Sequence, residues 1–353
     1  MMKWRRACLA SVALFAACGL QGADAPAAQD PCHVHLAPSE DDHLSIQSAL
    51  LGSAPGSVVC LESGTYELAD GLSLGVPGLT LRALDEGAVL DFSRQRAPAP
   101  GLAIQGDDVT VEGLEFRDAR GPAVRVEGSD NVRLASLRIL WTRSGEGTSG
   151  IDLREASNTR VTDVEVVGAK RGILSADSVR LVVEGSSLHH NEVGAWFEGG
   201  SDLELTGTEL RSNRSGLVLA TSPAGAGERA KIHGNLIEGS RGDARDPLAG
   251  LGIALVGPFT AEIHDNVVRS NDAAGLLVLG TERGAEPAPF FLSVHDNRFV
   301  GNGEGPSPER DLVVMEGETS SWCFERNEGT VQAAEGMELD AGCPLAPIPA
   351  PSL

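Results

Sequence analysis

Lys170 and Lys231 are the only lysines beyond the first seventeen residues, in a chain otherwise rich in arginine. Lys170 stands beside Arg171. An amine desolvated next to a guanidinium gives up its proton more readily, so Lys170 is a candidate base with Arg171 a charge partner for an anionic substrate. The plainer alternative is a solvent-facing basic turn. His189-His190-Asn191 brings a second acid–base candidate, His190, against the alternative of a polar turn with Asn191 at its corner. Trp141 and Trp196 each offer an indole face on which a sugar ring could stack. His233, His264 and His295 recur at spacings of 31 and 31, in Ile-His-Gly-Asn, Ile-His-Asp-Asn and Val-His-Asp-Asn. Imidazoles repeated this way, with Asp265 and Asp296 beside them, are candidate ligands for a divalent metal. Copying of a repeat unit explains the same pattern with no ligand.

These residues must be held by something, and the glycines say what. Gly150, Gly172, Gly194 and Gly216 lie 22 residues apart, and each opens a short apolar run; the series resumes at Gly252 and Gly275. A period of this length marks stacked units that cannot bury their apolar faces alone. The units carry strand-type alternation and no helical periodicity. The fold expected is all-β: a single right-handed parallel β-helix of about ten coils over residues 44–330. Asn235, Asn266, Asn297 and Asn327, each just after a strand, suit stacked corners. Leu44 to Leu51 has the spacing of a short helix that caps the first coil.

In each Gly-led strand the residue after glycine should point inward and the next outward. One outward column then reads Arg125, Asp152, Leu174, Trp196, Val218, Ala254, Leu277. The other reads Glu127, Arg154, Ala176, Glu198, Ala220, Val256, Leu279. The charged and aromatic members fall in the early coils, and Arg125, Trp196 and Glu198 among them, with Trp141 in the neighbouring insertion and Arg171 just before Gly172, are the substrate-binding candidates. The later members are apolar and need cover, from insertions or from a partner. Insertions at 142–149, 221–229, 239–250 and 280–289 all flank this sheet.

The whole chain has 28 basic and 50 acidic residues, a formal charge of −22. Such a surface excludes nucleic acid as a partner. Between Arg117 and Arg180 the balance reverses to 11 basic against 9 acidic. Basic residues followed by the apolar run Ala7–Ala17 form an export signal over 1–17. Leu14-Phe15-Ala16-Ala17-Cys18-Gly19 resembles a bacterial lipobox, which makes Cys18 the lipidated residue; cleavage after Ala25 is the other reading. Residues 18–43 are then a tether leading to the cap, and 331–353 a C-terminal cap with a proline-rich tail. Export implies an oxidising compartment. Of three connectivities for Cys32, Cys60, Cys323 and Cys343, the one that pins both solenoid ends pairs Cys32 with Cys60 and Cys323 with Cys343.

Ile46-Gln47-Ser48-Ala49-Leu50, Pro55-Gly56-Ser57-Val58-Val59 and Gly64-Thr65-Tyr66 together resemble the opening of pectin-lyase-like proteins. The repeats are similar to bacterial parallel β-helix proteins that include mannuronan C5-epimerases. Ser149-Gly150-Ile151-Asp152-Leu153-Arg154-Glu155 resembles the epimerases' Tyr-Gly-Phe-Asp-Pro-His-Asp motif. That resemblance implies a catalytic role for Asp152 and places Ser149 at the family's tyrosine and Arg154 at its histidine. Lyases of this fold that use lysine as base and arginine as acid imply Lys170 with Arg171, and Ca2+ as the cofactor; no other cofactor is expected. The expectation is an exported, lipid-anchored, monomeric protein of the cell envelope, periplasmic or at the surface, otherwise secreted. It binds polysaccharide along the Gly-led sheet without catalysis. The alternatives are a uronate lyase or C5-epimerase, and a metal-associated or structural solenoid.

Overall fold

The computed structural model describes residues 32–142, 147–222, 229–243, 245–257, 259–279, 291–303, 311–316 and 322–333. The signal segment, Cys18, Cys343 and the tail lie outside them, as do 143–146, 223–228 and 280–290 of the insertions. From Cys32 onward the chain winds into a parallel solenoid with three sheets of 12, 11 and 10 strands. Every strand pair within them is parallel and each strand pairs with its counterpart one coil away, as in Val193–Glu198 on Arg171–Ala176. Among the described residues no helix is long and apolar enough to cross a membrane.

The 11-stranded sheet is the Gly-led one, and its glycines are fixed by contact rather than by backbone angle. A Cβ on Gly150 would lie 2.5 Å from the carbonyl oxygen of Gly172; on Gly172, 2.4 Å from that of Gly194; on Gly216, 2.3 Å from that of Gly252. Each glycine lets the next coil's carbonyl approach. Directly after it the chain turns inward: Ile151, Ile173, Ala195, Leu217, Ile253 and Leu276 are all fully buried.

Asparagine ladders hold the corners. Asn235, Asn266 and Asn297 each donate their backbone N–H to the side-chain oxygen of the next asparagine at 3.0–3.1 Å, ending at Asn327. Their Nδ2 groups donate to strand carbonyls, as Asn266 does to Ile232 at 2.9 Å. A second ladder stands at the corner before the glycines. Ala169 N–H donates to Asn191 and Asn191 N–H to Asn213; Ser240 begins a later stretch through Asn271 and Asn302 to Asp311.

The capping helix, Asp42–Gly52, buries Ile46 and Leu50 against the first coil. Gln47 imitates a strand: its amide donates to Ser73 O at 3.0 Å and accepts from Ser73 N–H at 2.8 Å. Tyr66, the chain's only tyrosine, is buried below the helix, its hydroxyl between Leu36 O at 2.7 Å and Glu62 O at 2.9 Å. Burial, aided by Glu62 and Asp42, pushes its phenol up to about 12. A raised folded value gives stability that is complete below the unfolded phenol's value near 10 and lost as pH climbs through about 12. Tyrosinate absorbance, which here reports one residue, should therefore rise near pH 12 in the folded protein and near 10 in urea. A folded transition near 10 would contradict the locked phenol.

Candidate functional site

Strand register sets the outward columns. Arg125 pairs with Asp152, Asp152 with Leu174, Leu174 with Trp196, Trp196 with Val218, Val218 with Ala254 and Ala254 with Leu277. One step along, Glu127, Arg154, Ala176, Glu198, Ala220, Val256 and Leu279 form the second column.

Asp152 is 1% exposed. Its Oδ2 accepts from Arg125 Nε at 3.0 Å and Nη2 at 2.7 Å, and its Oδ1 from Arg154 Nε at 3.1 Å. The hydrogen bond to Asp152 raises Arg154 above the ordinary guanidinium value, with the nearby carboxylate charge adding to it. Asp152 is thus engaged at both oxygens by guanidinium groups and shut off from water. Ser149, at the tyrosine position of the epimerase motif, is buried too. Tyr66, the one phenol, is in the first coil and bonded to two carbonyls.

Two coils on, Trp196 is half-buried, with the Arg171 guanidinium 5.1 Å from its ring centroid and its Nε1 donating to Glu198 at 3.4 Å. One indole face is therefore covered by a cation. Between these two clusters lies a single coil whose outward residues, Leu174 and Ala176, are half-buried. This strip, called the saddle below, has Arg125 and Arg154 on one side and Trp196 and Glu198 on the other, with Arg171 of the intervening strand set against the indole. Rows two coils apart lie about 10 Å from each other.

Beyond Trp196 the face closes. Val218, Leu251, Ala254, Ala274 and Leu277 are buried in a second hydrophobic cluster, separate from the main core, with Leu248 of the 239–250 insertion packed against it. Ser215 Oγ donates to Leu248 O at 2.6 Å, and Arg214 pairs with Asp243 and Asp246 to hold the same insertion down. The apolar stripe is thus covered, at least partly by the chain itself.

The remaining candidates stand as follows. Trp141 is 7% exposed in the main core, its Nε1 donating to Ala119 O at 2.7 Å, so it presents no stacking face. Lys170 is exposed and precedes the strand Arg171–Ala176, four positions before the residue paired with Asp152. His190 is at a corner in the left-handed region, with φ 56°, after the strand Ser187–His189 of the ten-stranded sheet. Its Nδ1 is 2.9 Å from His189 Nδ1, and His189 Nε2 donates to Glu165 at 3.1 Å. Burial opposes ionisation of Glu165, but hydrogen bonds from His189 and Arg138 outweigh it and hold the carboxyl below its usual range.

The histidine column is present as a stack of three parallel rings. His233, His264 and His295 stack with centroids 4.9 and 5.1 Å apart and planes within 3° of parallel. Ring nitrogens bind metal in the ring plane at about 2.0–2.1 Å, so one ion spans at most ~4.2 Å between two of them. The stacked nitrogens do not converge. They serve carboxylates instead: His233 donates to Glu204, His264 to Asp265, His295 to Asp296. Asp296 is held well below the carboxylate range by Arg326 and then His295. Among the described residues no three His, Cys, Asp or Glu gather where they could hold a metal ion, which leaves the Ca2+ expectation without a ligand set there. The Cys32–Cys60 disulfide is present. Cys323 is also disulfide-bonded, while Cys343 lies outside the described residues.

A protein-family profile described as right handed beta helix region matches residues 100–257 and 149–307, together more than half of the chain. The chain belongs to that family. No curated protein matches it in sequence. Among solved structures it is similar to the Yersinia enterocolitica family 28 exopolygalacturonase, at 14% identity over 85% of this chain and 71% of that one, TM-score 0.58. It is similar also to the Streptococcus pneumoniae surface protein and adhesin PfbA, at 12% identity over 84% and 93%, TM-score 0.56. A hyperthermoactive exopolygalacturonase from Thermotoga maritima aligns at 11% identity over 84% and 85%, TM-score 0.51. At these identities the likeness is one of fold.

Proposed function

We propose that the chain is an exported, lipid-anchored β-helix that binds polysaccharide on the saddle of its Gly-led sheet and catalyses no reaction there. The observation that carries the second half is Asp152, buried with both oxygens taken by Arg125 and Arg154. Removal of a proton beside a carboxylate, or hydrolysis of a glycosidic bond, needs a base that can reach the substrate. Support for the first half is the fold shared with two exopolygalacturonases and an adhesin, together with an aromatic ring, guanidinium groups and Glu198 around a floor of Leu174 and Ala176. That extension from fold to ligand is analogy, strengthened by the residues at the saddle.

In affinity gels containing pectate, alginate or a neutral glucan, wild type should be retarded by at least one polymer. Trp196→Ala should weaken that retention roughly fivefold. Unchanged retention would remove the saddle as the contact. Absorbance from unsaturated uronate products during incubation with the same polymers would overturn the non-catalytic reading. The anchor is tested separately: Cys18→Ala should move the protein from the detergent-extracted membrane fraction to the soluble one.

A further inference from the structure

Arg82, half-buried in the strand Thr80–Ala83, reaches both sulfurs of the first disulfide. Its Nε is 3.4 Å from Cys60 Sγ and its Nη2 3.5 Å from Cys32 Sγ. Cys60 is fully buried, whereas Cys32 is half-buried, so an incoming thiolate meets Cys32 first. We propose that Cys32–Cys60 is a thiol-exchange site, acted on by a dithiol, with Arg82 stabilising the thiolates it releases.

The thiolate forms a bond to Cys32 Sγ while the Cys32–Cys60 bond breaks. The electron pair of that bond goes to Cys60 Sγ, facing Arg82 Nε. The dithiol's second thiolate then attacks its own sulfur in the mixed disulfide and expels Cys32 as a thiolate beside Arg82 Nη2. The dithiol leaves oxidised by two electrons, the two cysteines are reduced by the same two, and their protons come from water. A leaving thiolate that is better stabilised departs faster, and a fixed cation supplies that stabilisation.

The exchange has a structural consequence. Cys32 leads into the strand Val34–Leu36, the edge of the 12-stranded sheet, which among the described residues pairs with Val58–Leu61 alone. The disulfide ties that edge strand directly to its partner at Cys60. Reduction leaves it held by a short parallel ladder and the Tyr66 hydroxyl on Leu36 O, and its release uncovers the next edge.

The test uses the full chain, with glutathione to trap the first step and dithiothreitol to complete it, read by differential alkylation and mass spectrometry. Glutathione should appear on Cys32. Arg82→Met should slow cleavage of Cys32–Cys60 by about tenfold, and Arg82→Lys should recover most of the rate, while the disulfide of Cys323 reacts equally in all three. Glutathione on Cys60, or an Arg82→Met rate within twofold of wild type or faster, would overturn the proposal.

Discussion

Gly216→Ala is expected to destabilise the solenoid by about 3 kcal/mol, at the upper end of what overpacking a well-filled site costs. The added methyl would stand 2.3 Å from the carbonyl oxygen of Gly252 and 2.7 Å from Ile237 Cγ2. Neither neighbour can yield alone. The carbonyl belongs to the next coil's backbone, where Gly252 in turn approaches Gly275 O at 2.6 Å from its own Cβ direction. Ile237 is fully buried in the core. Relief therefore requires two coils to separate, which breaks parallel hydrogen bonds on both sides of the fault. The control is Gly52→Ala at the end of the capping helix, where a Cβ meets nothing within 4 Å. Helix propensity favours alanine there, so this variant should be neutral or slightly more stable. Urea midpoints of the two variants against wild type decide the matter, and a Gly216→Ala midpoint equal to wild type would refute the contact origin of the repeat.

That steric origin is why so much of the fold is legible in the sequence. A glycine demanded by the neighbouring coil must recur wherever the coil recurs, and inward and outward positions then follow by counting from it. The first asparagine ladder is legible for the same reason. The second is less so, because Ser240 stands between Asn213 and Asn271 and insertions alter the spacing. The candidate site is legible in position but not in state. Counting puts Asp152 outward, yet only the reach of Arg125 from the preceding coil and the return of Arg154 along the same strand seal it. Spacing likewise puts His233, His264 and His295 on three coils, but ring planes decide between chelation and stacking, and spacing carries no information about ring planes. Trp141 shows the limit most directly. Leu140 keeps its register with both neighbouring coils, yet the indole of the next residue packs into the core and bonds Ala119 O.

Asp152→Ala is the second substitution with a large expected effect, and it separates a clamp from a catalyst. Removing one partner of a buried ion pair costs about 3–5 kcal/mol when the remaining charge stays buried. Here Arg125 and Arg154 keep 26% and 47% of their side chains exposed, so water can reclaim them in part. The expected loss is therefore about 2–3 kcal/mol, below the full penalty. Arg154→Met should cost less, since the buried carboxylate keeps both of its bonds to Arg125. Arg125→Met should fall between them, because Asp152 then retains only the more exposed partner. Replacing the group as a unit, Arg125→Met with Asp152→Leu, should recover much of the loss, because an apolar pair leaves no charge uncompensated. A catalytic aspartate predicts a different order: Asp152→Asn would abolish activity on a uronate polymer while leaving the urea midpoint nearly unchanged. Measuring midpoint, glycan retention and product formation for the five variants gives each reading an outcome the other forbids. A destabilised but still glycan-retaining Asp152→Ala fits the clamp, and a stable but inactive Asp152→Asn would return the saddle to the enzymes.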